Sequence, residues 1–283
     1  MRVRQAIVLL SLIVFGAPAH SQELGGQVVF SRRVYRLQGR SYQEIWSWNP
    51  ATGALVALTH SARDHYAPDC KDGEILFQVP QPGPNGPNLW SFDPRTRAEK
   101  FLGPAPMVPE QERPKNGCTA YAQAGALEAC GNDEDLTVSR AGKPVGQFHI
   151  QENICVTASG VNNGPCATPI LGLEWSPDAK WLLVNELGLD TNSTAPQSDY
   201  YVVDPGTMKL SKAVTADQGS AVWLPASDKL LYVTPRDLAI LPGGRRERTV
   251  WSQHLMLFDP ETKKTTALTS GVTNDVAPSL CER

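Results

Sequence analysis

Short runs of alternating apolar and polar residues, separated by turn residues, fill the chain beyond residue 25. Four of these runs are rich in aromatic or branched side chains and end in an Asn/Asp-Pro-x-Thr sequence, which begins at Asn49, Asp93, Asp204 or Asp259. Asn or Asp at the first position of a turn accepts backbone hydrogen bonds, and the proline that follows presets φ for a type I turn. Because a further alternating run follows each copy, the pattern predicts strand–turn–strand units and an all-β protein.

A second recurring pattern consists of a strand, a tight turn with Pro or Asp, and an apolar strand, which is typical of a β-hairpin. Its copies lie at residues 66–77, 173–184 and 221–233, with a degraded copy at 117–130. The Asn/Asp-Pro turns are 44, 111 and 55 residues apart, so the degraded copy fills an interval about twice as long as the others. We therefore predict five units of four strands, each of about 52 residues, which is near the length of a β-propeller blade. A sandwich or barrel of five hairpins is the alternative.

The two ends of the chain complete each other. Residues 272–280 match residues 62–70, the opening strand of a unit, whereas residues 26–32 begin with what would be a second strand. Joined, the two ends make one complete blade, and neither terminal strand is left without a partner. The sequence thus predicts that residues 272–280 pair with residues 26–32 in one sheet.

The repeat resembles that of the TolB-type propellers, also called WD40-like Pd repeats. Leu58-Thr59, followed by Asp64, Pro68 and Asp72-Gly73, carries the resemblance, as does the segment from Trp175 to Asp178. The resemblance implies a β-propeller that interacts with protein. The family also includes propellers attached to peptidases and lyases. The third unit here is eroded and Pro-Asp-Gly is incomplete in every copy. Six units are usual in TolB-like propellers, so six blades remain the alternative to five.

The N-terminal residues have the three parts of a secretory signal peptide. A basic start at residues 1–4 is followed by an apolar run at 6–17 and by small residues up to Ser21. This order predicts a signal peptide at residues 1–21, with an uncleaved anchor as the alternative. No cysteine follows the run to carry a lipid, and no later segment is apolar enough to cross a bilayer. We expect a single β-propeller domain at residues 24–283, in the periplasm or secreted.

The cysteines agree with export, because an even number in an exported chain, here six, indicates disulfides. Cys118 and Cys130 flank a predicted hairpin, so we pair them. Cys155 and Cys166 bracket a small polar loop and form the second predicted pair.

Two cysteines, Cys70 and Cys281, are left to pair with each other or to stay free. A zinc site is disfavoured, because the chain has no Cys-x-x-Cys and its five histidines are scattered. The sequence predicts no metal and no cofactor.

The longest segments between predicted strands fall in equivalent places of the units. They connect second to third strands, or one unit to the next, and both kinds of connection open on the same face of a blade. They are residues 33–43, 80–88, 103–116, 151–169, 187–198 and 235–251. Because long loops often carry function, we expect one loop-rich binding face at one end of the central channel. Insertions without a role are the alternative.

Seven residues are candidate contacts on this face. They are Asp64, His65, Asn274, Asp275, Arg245, Arg246 and Arg248. The first four occupy matching positions at the expected channel mouth, where they bind a cation or polar ligand, or cap turns between units. The three arginines form a basic loop tip, which meets an acidic partner or is simply solvated.

Charge and motifs limit the possible functions. With 26 Lys+Arg and 29 Asp+Glu the net charge is −3, which argues against a strongly basic nucleic-acid binder. The chain has no Gly-x-Ser-x-Gly, His-Glu-x-x-His or Gly-x-Gly-x-x-Gly motif. We expect an exported, non-enzymatic binding or scaffold module that presents its loop-rich face to a protein or glycan partner. The alternative is a small propeller hydrolase or lyase that acts on a carbohydrate or peptide.

Overall fold

A computed structural model describes residues 26–36, 39–60, 62–81, 86–106, 117–150, 155–157, 160–162, 169–188, 197–225, 227–241 and 248–281. The regular elements within these ranges are β-strands. They are β1 (Val28–Val34), β2 (Gln43–Trp48), β3 (Leu55–Ala57), β4 (Tyr66–Lys71), β5 (Glu74–Val79), β6 (Asn88–Asp93), β7 (Ala98–Pro104), β8 (Ala120–Ala124), β9 (Leu127–Asn132), β10 (Asp135–Arg140), β11 (Lys143–His149), β12 (Cys155–Thr157), β13 (Gly160–Asn162), β14 (Ile170–Trp175), β15 (Leu182–Gly188), β16 (Gln197–Asp204), β17 (Lys209–Asp217), β18 (Val222–Leu224), β19 (Lys229–Val233), β20 (Asp237–Leu241), β21 (Arg248–Ser252), β22 (Leu255–Asp259), β23 (Lys264–Ala267) and β24 (Thr273–Leu280).

Antiparallel pairing groups the described strands into five four-stranded sheets and two separate hairpins. Sheet 1 has the order β24-β1-β2-β3, sheet 2 is β4-β5-β6-β7, and sheet 3 is β8-β9-β10-β11. Sheet 4 is β14-β15-β16-β17, and sheet 5 is β18-β19-β22-β23. The hairpins are β12–β13 and β20–β21. The predicted all-β fold and its four-stranded units are thus confirmed.

The Asn/Asp-Pro turns join the third and fourth strands of four sheets. In each turn the side-chain oxygen of the Asn or Asp accepts a hydrogen bond from the backbone N–H two residues later, at 2.9, 2.8, 2.8 and 3.0 Å in chain order. Polar turn residues hold the chain reversal in this way, which leaves the flanking strands free for apolar side chains. The recurring sequence therefore marks one fixed place in the sheets.

The two ends of the described chain meet in sheet 1. β24 pairs antiparallel with β1, from Val28 opposite Leu280 to Val34 opposite Thr273, with a β-bulge on the way. Beyond the strands, the Gly26 N–H donates to the Cys281 carbonyl at 2.7 Å. The predicted pairing of the terminal segments is present.

Four buried clusters hold the sheets together, each between two sheets. Members of these clusters are Ile45 and Phe77 between sheets 1 and 2, Leu136 and Leu182 between sheets 3 and 4, Tyr200 and Leu230 between sheets 4 and 5, and Phe30 and Leu231 between sheets 5 and 1. In the described ranges no such cluster joins sheets 2 and 3. The clusters connect the sheets in the order 2–1–5–4–3, so packing neighbours are also neighbours along the chain.

Two disulfides are present among the described residues. Cys118 and Cys130 are bonded within sheet 3, with their Cα atoms 5.4 Å apart, as predicted. Cys70 of β4 is bonded to Cys281, which directly follows β24, so this bond joins sheet 2 to sheet 1. The predicted pairing of Cys155 with Cys166 and the predicted signal peptide at residues 1–21 lie outside what the structure describes.

Two of the predicted loops contain strands. Residues 235–251 include β20 and most of β21, which pair in register from Asp237 opposite Ser252 to Leu241 opposite Arg248. Residues 151–169 include β12 and β13. The interpretation of these segments as loops was wrong in this respect. In residues 235–251, apolar residues such as Leu238 and Val250 alternate along the chain, and the two runs pair as antiparallel strands.

Candidate functional site

The threonine of the recurring Leu-Thr sequence bonds to the third strand of its own sheet and to the segment that leads into the next sheet. Thr59 Oγ1 accepts a hydrogen bond from the Ile45 N–H at 2.9 Å and lies 3.0 Å from the Nδ1 atom of His65. Thr269 Oγ1 accepts from the Leu255 N–H, also at 2.9 Å. The recurring threonine therefore connects the third strand of its sheet to the segment that leads into the next sheet.

His65 lies in the protein interior. Its side chain is fully buried and its ring centroid is 4.4 Å from that of Phe77. Burial, together with a smaller contribution from the charge of Arg63, lowers the pKa of His65 to about 4, while Asp64 acts in the opposite direction. His65 is therefore neutral near pH 7 and takes part in packing.

Asp275 occupies the position in sheet 1 that matches His65, and it is also fully buried. Its backbone N–H donates to the Gln253 carbonyl at 3.1 Å, and its carboxylate lies 3.4 Å from Nε of Arg32. Burial raises the pKa of Asp275, while the charge of Arg32 and a hydrogen bond from Thr269 lower it. Asp275 thus fixes the start of β24 against neighbouring segments.

Asp64 and Asn274 meet at Gln43, where sheets 1 and 2 join. Asp64 Oδ1 accepts hydrogen bonds from the Gln43 N–H at 2.7 Å and from Nη2 of Arg33 at 2.9 Å. The Gln43 side-chain amide donates to the Asn274 carbonyl at 3.4 Å. In these contacts polar side chains satisfy backbone groups where sheets 1 and 2 join.

Replacing Thr269 with Val tests this role. We expect the Thr269→Val variant to lose about 1–3 kcal/mol of unfolding free energy, because the buried Leu255 N–H loses its acceptor while side-chain volume is retained. Urea unfolding followed by tryptophan fluorescence measures the loss. The matched control is Thr266→Val on the exposed strand β23, which should change stability by less than about 0.5 kcal/mol. Equal effects at both positions would contradict the connecting role.

The predicted basic tip is described only in part. Arg248 begins β21 and is exposed, whereas Arg245 and Arg246 lie outside the described residues. Arg248 stands opposite Leu241 in the β20–β21 ladder. The basic charge that the structure places here therefore belongs to a hairpin inserted between the second and third strands of sheet 5.

This hairpin has one buried and one exposed side. Leu241 and Val250 point inwards and are 8% and 7% exposed. Leu238, Ile240 and Trp251 are 58%, 57% and 39% exposed, and Leu238 stands directly opposite Trp251. We call the side formed by Leu238, Ile240 and Trp251 the hairpin face. Exposed apolar side chains grouped on one surface are typical of interaction sites.

Arg236 contacts the hairpin face, and Tyr35 lies near the arginines of the hairpin. The Arg236 guanidinium lies 5.6 Å from the ring centroid of Trp251. Burial raises the pKa of Tyr35, and the charges of Arg33, Arg248 and Arg236 lower it, so these guanidinium groups lie within electrostatic reach of the phenol. Tyr35 follows β1, so the connection from sheet 1 and the hairpin from sheet 5 come close together here.

A pocket of about 640 Å³ adjoins the hairpin face. Its lining combines Arg236 and Leu238 from the hairpin with Thr234, Ser252 and His254 beside it. The His254 N–H donates to Thr234 Oγ1 at 3.0 Å, and its Nε2 lies 3.2 Å from Ser252 Oγ. The pocket therefore offers hydroxyl, imidazole and guanidinium groups next to an apolar surface.

Two histidine–carboxylate pairs lie away from this pocket. His149 Nδ1 is 2.9 Å from Asp135 in sheet 3, and His60 Nδ1 is 3.9 Å from Glu44. Both imidazoles are at least half exposed, and neither residue lines the pocket.

Among the residues with described side chains, no group of three His, Cys, Asp or Glu could hold a metal ion. No helix in the described part of the chain is long and apolar enough to span a membrane.

The sequence analysis missed Leu238, Ile240, Trp251 and Arg236. Their segment was assigned to a loop, although its apolar residues alternate on both sides of the basic tip. Such alternation is the signal of a strand. It indicates a two-sided hairpin but gives no information about which side faces solvent.

Comparison with known proteins gives distant structural matches. No protein-family model matches the chain, and no curated protein matches it. The chain is similar to TolB from Acinetobacter baumannii, with 11% identity and a TM-score of 0.34 over 93% of this chain and 68% of that one. It is also similar to a putative 6-phosphogluconolactonase from Bacteroides fragilis, with 10% identity and a TM-score of 0.38 over 94% and 97% of the two chains.

A third similar structure is the GH74 enzyme of Niastella koreensis. It shares 10% identity at a TM-score of 0.35, over 87% of this chain and 44% of that one. These low scores leave fold and function to be argued from the strands, contacts and charges of this chain itself.

Proposed function

We propose that the protein is an exported five-bladed β-propeller and a non-enzymatic module that binds a protein partner through the hairpin face. The five sheets would be the blades, with β24 completing the blade of β1. The order of the inter-sheet clusters supports this arrangement, since neighbours in packing are neighbours along the chain. Sheets 2 and 3 would be the remaining neighbours in the ring.

A sequence prediction and a structural observation support export. The first is the signal peptide predicted at residues 1–21. The second is the pair of disulfides, Cys70–Cys281 and Cys118–Cys130, because structural disulfides persist in oxidising compartments such as the periplasm. The working location would thus be the periplasm or the cell exterior.

The hairpin face is the observation on which the binding function depends. Leu238 and Ile240 expose more than half of their surface, on a hairpin that is an insertion into sheet 5. Exposed aliphatic side chains suit a protein partner. Sugars prefer open aromatic faces, and the Arg236 guanidinium already lies over the ring of Trp251. We therefore favour protein over glycan.

Photo-crosslinking in cells that export the full chain tests this function. We expect p-benzoylphenylalanine in place of Leu238 to give discrete adducts in which mass spectrometry identifies peptides of a second protein. The matched control position is Phe101 on the outer strand β7, which is 52% exposed and should give none. An added Ile240→Ser substitution should reduce the adducts about five-fold, since it removes an apolar anchor.

Three results would contradict the proposal. Identical adducts from both positions would mean that the hairpin face is not specific, and adducts that contain no second polypeptide would favour a glycan. Measurable turnover of polysaccharides or peptides by the purified chain would favour the hydrolase or lyase alternative instead.

A further inference from the structure

Strand β20 has one free edge. Among the described strands only β21 pairs with it. The far side of β21 is held at its base, where the N–H of Gln253, the next residue, donates to the Thr273 carbonyl at 3.0 Å. The pocket of about 640 Å³ lies along β20 instead, and Asp237, Leu238 and Ala239 line it in succession. Because successive side chains of a strand point to opposite faces, a pocket that three consecutive residues line lies beside the edge of the strand.

The register of the hairpin determines which backbone groups this edge presents. The Leu238 N–H donates to Asp237 Oδ1 at 2.7 Å, so it points away from β21. Because the direction of these groups alternates along a strand, Leu238 opposite Trp251 and Ile240 opposite Thr249 are the non-hydrogen-bonded pairs of the ladder. The N–H of Ile240 and the carbonyls of Leu238 and Ile240 therefore also point outwards, away from β21.

β20 lacks the protection that the outer strands of the sheets carry. Proteins keep exposed edges from pairing with other chains by placing lysine or proline there, or by making the strand very short. The fourth strand of sheet 1, β3, has only three residues. The fourth strands of sheets 2 to 5 each contain lysine, at Lys100, Lys143, Lys209 and Lys264. After its first residue β20 reads Leu-Ala-Ile-Leu, with no charge and no proline. Its edge is therefore suited to pairing.

We propose that the partner binds by strand addition, a mode that rests on the proposed function: an extended segment of the partner protein pairs with the free edge of β20. Its backbone bonds to the outward N–H of Ile240 and to the carbonyls of Leu238 and Ile240. Its side chains on the side of the hairpin face pack against Leu238 and Ile240, which are exposed there. Such side chains recur every second residue, about 7 Å apart, so the segment carries apolar residues at alternate positions.

Photo-crosslinking from position 238 of the exported full chain, with an added Ile240→Pro substitution, tests strand addition. Proline removes the outward N–H but no bond to β21, and edge strands tolerate it. We expect about 20-fold fewer adducts, because a carbonyl of the partner loses its donor. Proline keeps an apolar side chain, so a partner that only packs on the hairpin face should lose less with Ile240→Pro than with Ile240→Ser. Strand addition predicts the reverse order.

The matched control is Thr249→Pro on β21. Thr249 is exposed and stands opposite Ile240, so proline there removes an outward N–H from the other edge of the same hairpin. We expect the adducts from position 238 to stay within about two-fold of those of the unaltered chain. Far-ultraviolet circular dichroism checks that both proline variants remain folded.

Four outcomes would overturn strand addition. They are an unchanged adduct yield with Ile240→Pro, a smaller loss with Ile240→Pro than with Ile240→Ser, an equal loss with Thr249→Pro, and adducts in which both polypeptides are this chain, which would mean that the edge pairs with a second copy. If adducts form from position 238 and do not respond to Ile240→Pro, the proposed function remains and only strand addition is refuted. Absence of adducts from position 238 in the unaltered background would refute both.

Discussion

Replacing Cys70 and Cys281 together with Ala lowers the free energy of unfolding by about 5 kcal/mol. This disulfide spans 211 residues, and the loop entropy that a crosslink removes from the unfolded chain grows with the logarithm of the loop length. It also joins β4 to the end of β24, so the variant loses a direct bond between sheets 1 and 2. Guanidinium unfolding of the oxidised chain measures the effect.

The second disulfide provides the control for this prediction. Cys118 and Cys130 are only 12 residues apart, so the same relation gives a loss of about 3 kcal/mol for Cys118→Ala/Cys130→Ala. The longer crosslink should therefore matter more. A larger loss from the short crosslink would show that loop length does not determine the ranking.

His65 should make the protein sensitive to mild acid. The pKa of His65 is 6.5 when unfolded and about 4 when folded, mainly because of burial. Above pH 6.5 the ring is neutral in both states, so it contributes no pH dependence. As the pH falls from 6.5 to 4, the unfolded state takes up a proton that the folded state refuses, and about 3 kcal/mol of stability is lost.

Comparison with a His65→Gln variant isolates this contribution. Glutamine keeps a polar group near Thr59 but does not titrate, so the variant should lose about 3 kcal/mol less than the unaltered chain between pH 7 and pH 4. Parallel profiles for the unaltered chain and His65→Gln would refute the prediction.

The repeated turns made most of the fold predictable. Asn or Asp followed by Pro determines a turn through contacts with residues only two positions away, and such local chemistry can be read from the sequence. The match between the terminal segments likewise predicted the β1–β24 pairing. The Cys118–Cys130 bond was predictable because its two cysteines flank one hairpin.

The candidate site depended on contacts that sequence spacing does not reveal. The Leu-Thr repeat was visible, but its role depends on a hydrogen bond between Thr59 and Ile45, which are 14 residues apart. The burial of His65 and Asp275 likewise could not be read from the sequence, because only the packed sheets determine it. For the same reason the pairing of Cys70 stayed open, since its partner lies in another sheet.

The pairing of β24 with β1 also has a consequence during synthesis. Of the described strands the ribosome makes β1 first, yet the strand that covers its free edge is the last of them to be made. Until then, nascent chains expose an unsatisfied row of backbone amides and carbonyls, which can pair with a neighbouring chain. Chains that stall or are truncated before residue 273 should therefore aggregate and become substrates of chaperones and proteases.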